Sequence, residues 1–231
     1  MSDCWFPPRW PVEDPDLVQL YTLNTQNGQK VGVCLEEMGV PYEVHVLNIG
    51  KGDQFDADYV KHLNPNGKIP SIIDPHGPED EPVYLMESNV ILQYLADKTG
   101  RFFPRTYRAR LEGMQWMNFQ AAHIGPMFGQ LGHFFKFAKD KTSDTYAVTR
   151  YINETKRLLN VLEQRLQERD YLIGEYSIVD MATMPWVEGL VDFYGAGEVL
   201  EIDTLPRVSD WRKRVTSRPA YRWGKGVGKL D

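Results

Sequence analysis

The chain has 231 residues, of which 42% are hydrophobic and 25% are charged, which is enough for one large domain or two small ones. A formal net charge of −6 and an isoelectric point near 5.4 argue against nucleic acid or an anionic membrane as the main partner. No apolar run approaches the roughly 18 residues of a membrane span, and the first sixteen residues lack the apolar core of an export signal. We therefore expect a cytoplasmic protein that binds neither nucleic acid nor membrane.

The chain contains two cysteines, Cys4 and Cys34, which lie in very different sequence contexts. They offer neither a disulfide framework nor the ligand spacing of a zinc or iron–sulfur site, so we expect no metal.

Residues 1–16 are rich in proline, tryptophan and acidic side chains and lack a regular period, which predicts an extension over the surface. We expect Trp5, Phe6 and Trp10 in this extension to pack onto the body of the protein. The apolar stretch 17–23 predicts a first, buried strand. The polar residues 24–28 then supply helix caps before an apolar helical pattern that stops at Gly39.

The next elements alternate in the same way. Residues 42–47 predict a second strand and residues 56–63 a short helix, and two strands joined by a helix indicate a parallel crossover. Residues 71–74 and 82–86 predict a hairpin of a third and a fourth strand. Glu87, Ser88 and Asn89 then open a third helix.

The motif Asn64-Pro65-Asn66-Gly67-Lys68-Ile69-Pro70 precedes the third strand. Proline cannot donate to a strand ladder, so Pro70 indicates either a sheet edge or a bend. We expect the Ile69–Pro70 bond to be cis, which leaves the Ile69 N–H and C=O free to pair with an extended, peptide-like ligand. An ordinary trans proline at the start of a strand is the alternative.

From about residue 105 to 215 no strand pattern appears, and amphipathic helices are predicted at 105–139, 145–169, 177–193 and 206–216. Ser177 and Asp180 have the spacing of a capping box. The chain therefore divides into an extension (1–16), an α/β thioredoxin-like domain (17–100), an all-α domain (105–220) and a loose tail (221–231).

A thioredoxin-like half followed by an all-helical half resembles the cytosolic glutathione transferases, over about residues 17–220. The markers are Pro70 after Lys68-Ile69, Glu87-Ser88 at a helix start and the capping box; no single motif is specific, but their order and spacing are. The motif of residues 24–30, Gly50-Lys51-Gly52-Asp53-Gln54-Phe55 and the motif before Pro70 are similar to the nu class and the relatives of the yeast nitrogen-catabolism regulator.

The resemblance implies a glutathione-binding first domain. Glu87 and Ser88 would bind the γ-glutamyl ammonium and carboxylate, although Glu87 could instead complement the helix dipole. Ile69, next to Pro70, would pair with the cysteinyl backbone. Gln54 would bind the glycyl carboxylate, and Lys68 would assist it, with a solvated lysine as the alternative. Arg150 matches a glutathione-contacting arginine of the nu class, with an exposed helix charge as the alternative.

The polar start of the first helix would stabilise the glutathione thiolate. Asn24, Thr25 and Asn27 can all donate hydrogen bonds to sulfur, and the resemblance favours Thr25 and Asn27, although Asn27 could simply be the helix N-cap. Tyr21 lies inside the strand and is interpreted as a core residue. Cys34 is expected to be a buried, inert thiol.

The implied function is a glutathione-dependent thiol–disulfide oxidoreductase with weak glutathione transferase activity, which uses bound glutathione and no protein cysteine. Its second substrate would be a small disulfide or an electrophile, and its assembly a homodimer. Aromatic and histidine side chains of the first long C-terminal helix would line the acceptor side, although most could be core residues: His123, Phe128, His133, Phe134 and Phe135. The alternative is a non-catalytic, glutathione-binding regulatory module.

Overall fold

A computed structural model describes residues 4–141 and 143–230, so the first three residues of the predicted extension and the last residue of the predicted tail lie outside it. The chain forms two compact units. Residues 4–101 and 219–230 form one, called here the thioredoxin-like unit, and residues 102–218 form the helical unit.

The thioredoxin-like unit is built on a four-stranded sheet of order β2-β1-β3-β4. The strands are β1 (Val18–Thr22), β2 (Tyr42–Val46), β3 (Ser71–Asp74) and β4 (Val83–Met86). Strands β1 and β2 pair in parallel, while β3 is antiparallel to both of its neighbours. The helices are α1 (Gln26–Met38), α2 (Ala57–His62), α3 (Ser88–Thr99) and, from the end of the chain, α9 (Pro219–Gly224). This mixed sheet with its helices is the predicted thioredoxin-like arrangement.

The Ile69–Pro70 peptide bond is cis, as predicted. Strand β3 lies inside the sheet, between β1 and β4. Of the two sequence interpretations of Pro70, the bend is therefore correct and the sheet edge is wrong. The ladder begins one residue later, where Ser71 pairs with Tyr21 on one side and with Met86 on the other.

The residues before strand β1 cover part of the sheet. Cys4, Phe6 and Trp10 pack against a buried cluster that includes Tyr21 and Tyr59. The Trp10 ring makes T-shaped contacts with the rings of Tyr21 and Tyr59, with centroid distances of 6.1 and 6.2 Å. The extension therefore packs onto the body through its aromatic residues, as expected.

The predicted loose tail is wrong. Residues 219–224 form helix α9, which packs closely on α1. A Cβ atom at Gly224 would lie 2.3 Å from the Cα of Val33, so the two helix backbones touch at a distance that glycine alone permits. Tyr221 is almost completely buried. The sequence did not indicate this packing because the glycines and lysines of the segment show no apolar period.

The helical unit contains α4 (Tyr107–Phe119), α5 (Gly125–Gly132), α6 (Tyr146–Arg165), α7 (Ile178–Asp192) and α8 (Pro206–Thr216). The π-turn Gln120–Ile124 joins α4 and α5 into one almost continuous helical run, and a second π-turn, His133–Phe137, extends this run beyond α5. Pro126 has no N–H to donate to the first π-turn, which accounts for the local widening there. The unit corresponds to the all-α domain expected from the sequence.

Helix α7 begins with the predicted capping box. The Ser177 hydroxyl accepts a hydrogen bond from the Val179 N–H, and the carboxylate of Asp180 accepts from the Ser177 N–H. Asp180 is fully buried and also accepts from the Leu172 N–H (3.0 Å) and the Trp211 indole N–H (2.8 Å). Burial raises the pKa of Asp180 to about 6, while these hydrogen bonds act in the opposite direction.

Replacing Asp180 should therefore destabilise the helical unit strongly. In Asp180→Ala the buried donors of Leu172, Ser177 and Trp211 lose their acceptor, and we expect a loss of about 3–5 kcal/mol in the free energy of unfolding. Asp180→Asn should not rescue stability, because its NH2 group would face donors. Urea denaturation followed by circular dichroism measures the loss. The exposed Asp210→Ala is the control, and an equal, small change in both variants would contradict the prediction.

Candidate functional site

The start of helix α1 is polar and carries no acidic residue in its first turn. Thr25 is the N-cap: its hydroxyl accepts from the Gly28 N–H at 3.3 Å. This hydroxyl hydrogen remains a donor for a ligand. Asn27 lies in the first turn and is half-buried, so the alternative that it is the N-cap is wrong. The positive end of the helix dipole is therefore available to an anion.

Gly28 determines how close this turn lies to strand β1. A Cβ atom at this position would be 2.0 Å from the carbonyl oxygen of Leu23, so no other residue fits without movement of the backbone. The start of α1 is consequently packed directly against the chain that leaves β1.

Asn24 holds the same loop from the other side. Its side-chain NH2 donates to the carbonyl oxygens of Lys225 (2.6 Å) and Val227 (2.9 Å), and its backbone N–H donates to the carbonyl of Gly228. Its side-chain oxygen accepts from Gln29. Because both amide hydrogens are used, Asn24 orients the loop instead of donating to a ligand sulfur.

The turn that ends at Pro70 is fixed by the carbonyl oxygen of Lys68. That oxygen accepts from the Tyr59 hydroxyl (2.7 Å) and from the Asn64 amide (2.8 Å). The Lys68 side chain is exposed. The N–H and C=O of Ile69 make no hydrogen bond with another described residue. A half-buried peptide unit with neither group paired is suited to a peptide-like ligand.

Gln54 lies in a short 3-10 turn, Asp53–Phe55, against the same bend. The Phe55 ring stands so close to Gly67 that a Cβ atom there would be 2.9 Å from it. The Oε1 atom of Gln54 is buried and has no hydrogen-bond partner among the described residues. Buried polar atoms normally have a hydrogen-bond partner. We therefore interpret the Gln54 Oε1 atom as an acceptor for a ligand N–H group.

Arg9 of the N-terminal extension forms ion pairs with the loop that carries Gln54. Its guanidinium pairs with the carboxylates of Asp53 and Asp56. Asp53 also accepts from the Asn48 N–H (2.8 Å), and Asp56 caps helix α2. The extension thus contributes to the position of Gln54, a role that its sequence did not indicate.

Glu87 and Ser88 form the corner between strand β4 and helix α3. Glu87 is exposed, has a φ of 68°, and makes no side-chain cap hydrogen bond. A left-handed backbone at a glutamate costs about 1–3 kcal/mol and is found mainly where function requires it. Ser88 is the first residue of α3 and is buried.

Lys30 is a residue that the sequence analysis missed. Its ammonium is 3.3 Å from the Ser88 hydroxyl oxygen and 3.2 Å from the side-chain oxygen of Asn89, and only 2% of the residue is exposed. It therefore connects the starts of helices α1 and α3. Its spacing of four and eight residues from the buried Cys34 and Met38 placed it on the apolar face of α1 and was the available signal.

Tyr21 and Cys34 are buried, and Cys4 is partly buried. Tyr21 is completely buried and stacks on His45 at 4.5 Å, so its interpretation as a core residue is confirmed. Cys34 is also fully buried, and burial raises the pKa of its thiol, as expected of an inert cysteine. Burial raises the pKa of the Cys4 thiol as well, and its sulfur lies 3.7 Å from the Tyr84 hydroxyl.

Arg150 is exposed on helix α6 of the helical unit. With Tyr146, Tyr151, Glu154 and Arg157 it lines an open cavity of about 630 Å³. Of the candidate acceptor side chains, Phe128 is a core residue and is excluded. His123 and His133 are exposed, Phe135 is half-buried, and Phe134 stacks on Tyr151 with ring centroids 5.6 Å apart.

Residues 4–141 and 143–230 contain neither a candidate membrane-spanning helix nor a candidate metal-binding cluster. No helix there is long and apolar enough to cross a membrane. No cluster of three or more His, Cys, Asp or Glu side chains in those residues could hold a metal ion.

The sequence matches two family models. Residues 27–98 match the glutathione S-transferase N-terminal domain, and residues 124–219 match the glutathione S-transferase C-terminal domain. The chain belongs to the glutathione S-transferase family. A thioredoxin-like unit and a helical unit are the two domains of the glutathione transferase fold predicted from the sequence.

The chain is also similar to individual members of this family. The disulfide-bond oxidoreductase YfcG of Escherichia coli is 41% identical, over 88% of this chain and 92% of its own. A glutathione transferase from Burkholderia graminis, solved with two glutathione molecules per subunit, is 48% identical with a TM-score of 0.93, over 95% of this chain and 91% of its own. A glutathione transferase from Pseudomonas putida, solved with one glutathione disulfide per subunit, is 42% identical with a TM-score of 0.92, over 95% of both chains.

The hydrogen bonds between Asn24 and the C-terminal segment can be tested directly. Asn24→Ala removes three side-chain hydrogen bonds, so residues 219–230 should exchange amide hydrogen at least about tenfold faster, which corresponds to about 1.4 kcal/mol. Hydrogen exchange with mass spectrometry measures this on peptides of that segment. Asn118→Ala, whose side-chain amide donates to the Met114 carbonyl of its own helix, is the control. Unchanged exchange in Asn24→Ala would contradict the assignment.

Proposed function

We propose that the protein is a glutathione-dependent thiol–disulfide oxidoreductase that uses the thiolate of bound glutathione and no cysteine of its own. The observation that carries the proposal is the start of helix α1, where an N-cap hydroxyl and an uncompensated helix dipole stand without a protein thiol. The relatives described above support it, because they include a disulfide-bond oxidoreductase and structures with glutathione or its disulfide bound.

Glutathione fits the donors and acceptors of the thioredoxin-like unit. Its γ-glutamyl carboxylate would bind at the Ser88 hydroxyl and N–H, and its ammonium at Glu87. The unpaired peptide groups of Ile69 would take up the cysteinyl backbone next to Pro70. Gln54 would accept a ligand N–H at its buried oxygen and donate from its NH2 to the glycyl carboxylate.

Three further residues have smaller roles in the proposal. Lys68 would add long-range attraction for the glycyl carboxylate, because its side chain is exposed close to this bend. Arg150 would contact glutathione, as the matching arginine of the nu class does. Asn24 would act as a positioning residue for the loop, through its bonds to the C-terminal segment.

The start of α1 can account for activation of the thiol. Lowering a thiol pKa by about two units requires roughly 3 kcal/mol of preferential stabilisation of the thiolate. A hydrogen bond to an anion contributes about 1.5–3 kcal/mol, and a helix N-terminus about 0.3–2 kcal/mol. One hydroxyl donor from Thr25, an amide donor from Asn27 and the dipole of α1 are together sufficient.

The reaction then proceeds in two exchanges. The glutathione thiolate attacks one sulfur of a small disulfide, forming a mixed disulfide and releasing one thiolate, which takes up a proton. The thiolate of a second glutathione attacks the glutathione sulfur of the mixed disulfide and releases the second thiolate. Two glutathiones are oxidised to glutathione disulfide, and one substrate disulfide is reduced to two thiols.

The finer classification is part of the same proposal. The motifs at residues 24–30, 50–55 and 64–70 favour the nu class, and a glutathione thiolate would also give weak transferase activity with small electrophiles. We propose a cytoplasmic homodimer, for which light scattering at micromolar concentration should give about twice the chain mass of 26.7 kDa.

The thiolate assignment is tested with Thr25→Ala combined with Asn27→Ala. We expect reduction of a small mixed disulfide by glutathione, coupled to glutathione reductase, to fall by about 100-fold or more in kcat/KM. The pH at which kcat/KM rises should move up towards the pKa of free glutathione, since the thiolate loses its donors. Thr25→Ser is the matched control, because it keeps the hydroxyl and the N-cap, and should retain most of the activity.

Two results would decide against parts of the proposal. Unchanged turnover in the double variant would reject Thr25 and Asn27 as the groups that stabilise the thiolate. Glutathione binding to the wild-type protein without any turnover would favour the non-catalytic regulatory module.

The absence of a protein thiol from the mechanism gives an independent prediction. Cys4→Ala combined with Cys34→Ala should leave kcat/KM for the disulfide within about twofold, because neither sulfur takes part in the exchange; the buried Cys34 change costs only packing. The same coupled assay measures this, with thermal unfolding as a check on folding. A tenfold or greater loss in a folded double variant would show that a cysteine is needed.

A further inference from the structure

The turn that carries Gln54 lies between two carboxylates. Asp53 precedes Gln54, and Asp56 follows it two residues later. One oxygen of each carboxylate shapes the local backbone. Asp53 Oδ2 accepts from the Asn48 N–H at 2.8 Å. Asp56 Oδ1 accepts from the Tyr59 N–H at 3.2 Å, at the start of helix α2. The second oxygen of each carboxylate is thereby available to a partner outside the turn.

Arg9 of the N-terminal extension is this partner for both carboxylates. Its Nη2 atom pairs with Asp53 Oδ1, and its Nη1 atom lies 3.4 Å from Asp56 Oδ2. The side chains of Asp53 and Asp56 are only 13% and 22% exposed, so water and salt screen these pairs less than pairs on the open surface. Two negative charges at the ends of a short turn repel each other, and a guanidinium that contacts both offsets this repulsion. Arg9 therefore holds the two ends of the Gln54 turn together.

Arg9 is itself fixed by the aromatic packing of the extension. Its guanidinium carbon lies 5.1 Å from the centre of the Trp10 ring, which is within the range of a cation–π contact. The Trp10 ring contacts the Tyr59 ring, and the Tyr59 hydroxyl donates to the Lys68 carbonyl just before the cis bond. One short segment of the extension therefore acts on both the Gln54 turn and the bend at Pro70.

The Gln54 turn also packs directly against that bend. A Cβ atom at Gly67 would lie 3.6 Å from the Gln54 carbonyl oxygen and 2.9 Å from the Phe55 ring, so the two loops are in contact. The bend presents the peptide groups of Ile69, and the turn presents the buried Oε1 of Gln54; neither has a hydrogen-bond partner in the described chain. A shift of the turn by about 1 Å would take Gln54 out of hydrogen-bond range of a ligand held at Ile69.

We propose that Arg9 is a positioning residue for the glycyl end of glutathione: by joining Asp53 to Asp56, it fixes Gln54 where its side chain meets the glycyl N–H and carboxylate. This inference rests on the proposed function, since it assigns a residue of the extension to the same glutathione site. The consequence is that Arg9 gives the site a preference for the tripeptide over a ligand that ends at the cysteinyl residue. The γ-glutamyl end binds at the start of helix α3, which is not part of the turn that Arg9 holds.

Two probes separate the glycyl end from the rest of the ligand. S-methylglutathione carries the complete tripeptide without a reactive thiol. The methyl ester of γ-glutamyl-S-methylcysteine ends at the cysteinyl residue and has neither the glycyl N–H nor the glycyl carboxylate. Both probes keep the γ-glutamyl ammonium and carboxylate, so the contacts of the glycyl residue distinguish them.

The first experiment measures both affinities by calorimetry in Arg9→Met, which removes the charge and keeps an unbranched side chain. We expect S-methylglutathione to bind roughly 3- to 10-fold more weakly, as for the loss of two partly exposed ion pairs, and the ester to change by less than about twofold. Arg9→Lys should lose less of the tripeptide affinity, because an ammonium keeps the charge but lacks the fork that contacts two carboxylates. Lys61→Met, which removes an exposed charge from helix α2 of the same unit, is the control and should leave both affinities unchanged.

The second experiment tests the route through Gln54 with a double-mutant cycle. In a Gln54→Ala protein the group that Arg9 positions is missing, so the further change Arg9→Met should alter the affinity for S-methylglutathione by less than about twofold. Losses that multiply in the double variant would show that Arg9 acts by another route and would overturn the inference.

The remaining outcomes separate the inference from the proposed function. Equal losses for both probes in Arg9→Met would mean a merely structural role, and no loss for either would mean no role; both results overturn the inference. If Arg9→Met does not fold, Arg9→Lys is measured with both probes in its place, and the same outcomes decide. Failure of the wild-type protein to bind S-methylglutathione at all would instead overturn the glutathione site itself.

Discussion

The contact between the first turn of helix α1 and the end of strand β1 is the constraint on which the site depends. Gly28 lies against the Leu23 carbonyl at a distance that excludes any side chain, and the amide of Asn24 ties the intervening loop to the C-terminal segment. The Thr25 hydroxyl and the helix dipole are therefore fixed before any ligand arrives. Preorganised donors of this kind stabilise an anion without a cost for reorientation at the moment of reaction.

A second helix start, that of α3, lies at the other end of the proposed ligand. The two starts are connected by Lys30, which reaches Ser88 from helix α1. The polypeptide thus provides positive potential at two helix starts, and in the proposed function one serves a thiolate and the other a carboxylate. In the proposed function its own thiols take no part in this chemistry: Cys34 is buried, and burial raises the pKa of the Cys4 thiol.

Local signals in the sequence were sufficient for most of the secondary structure. The stop at Gly39, the capping box of Ser177 and Asp180, and the hairpin between β3 and β4 were predicted because each depends on neighbouring residues. The bend at Pro70 was predicted as one of two options. The sequence of a strand does not show whether the strand lies at the edge or inside the sheet. The candidate residues Thr25, Gln54 and Ser88 came from family resemblance, whereas Ile69 came from the cis bond predicted at Pro70, and their roles with glutathione stay predictions.

By itself, then, the sequence determined the order of strands and helices, the caps, and the lack of a cysteine at the start of α1. The tertiary structure decided that residues 219–224 form a helix on α1, that Asn24 is used by that segment, and that Arg9 holds the Gln54 loop. It also decided that Lys30 is buried beneath Ser88. The physical reason is that a lysine, an asparagine or a glycine has only an average preference for interior or surface, which tertiary contacts can override. Its environment is set by segments far away in the chain that fold against it.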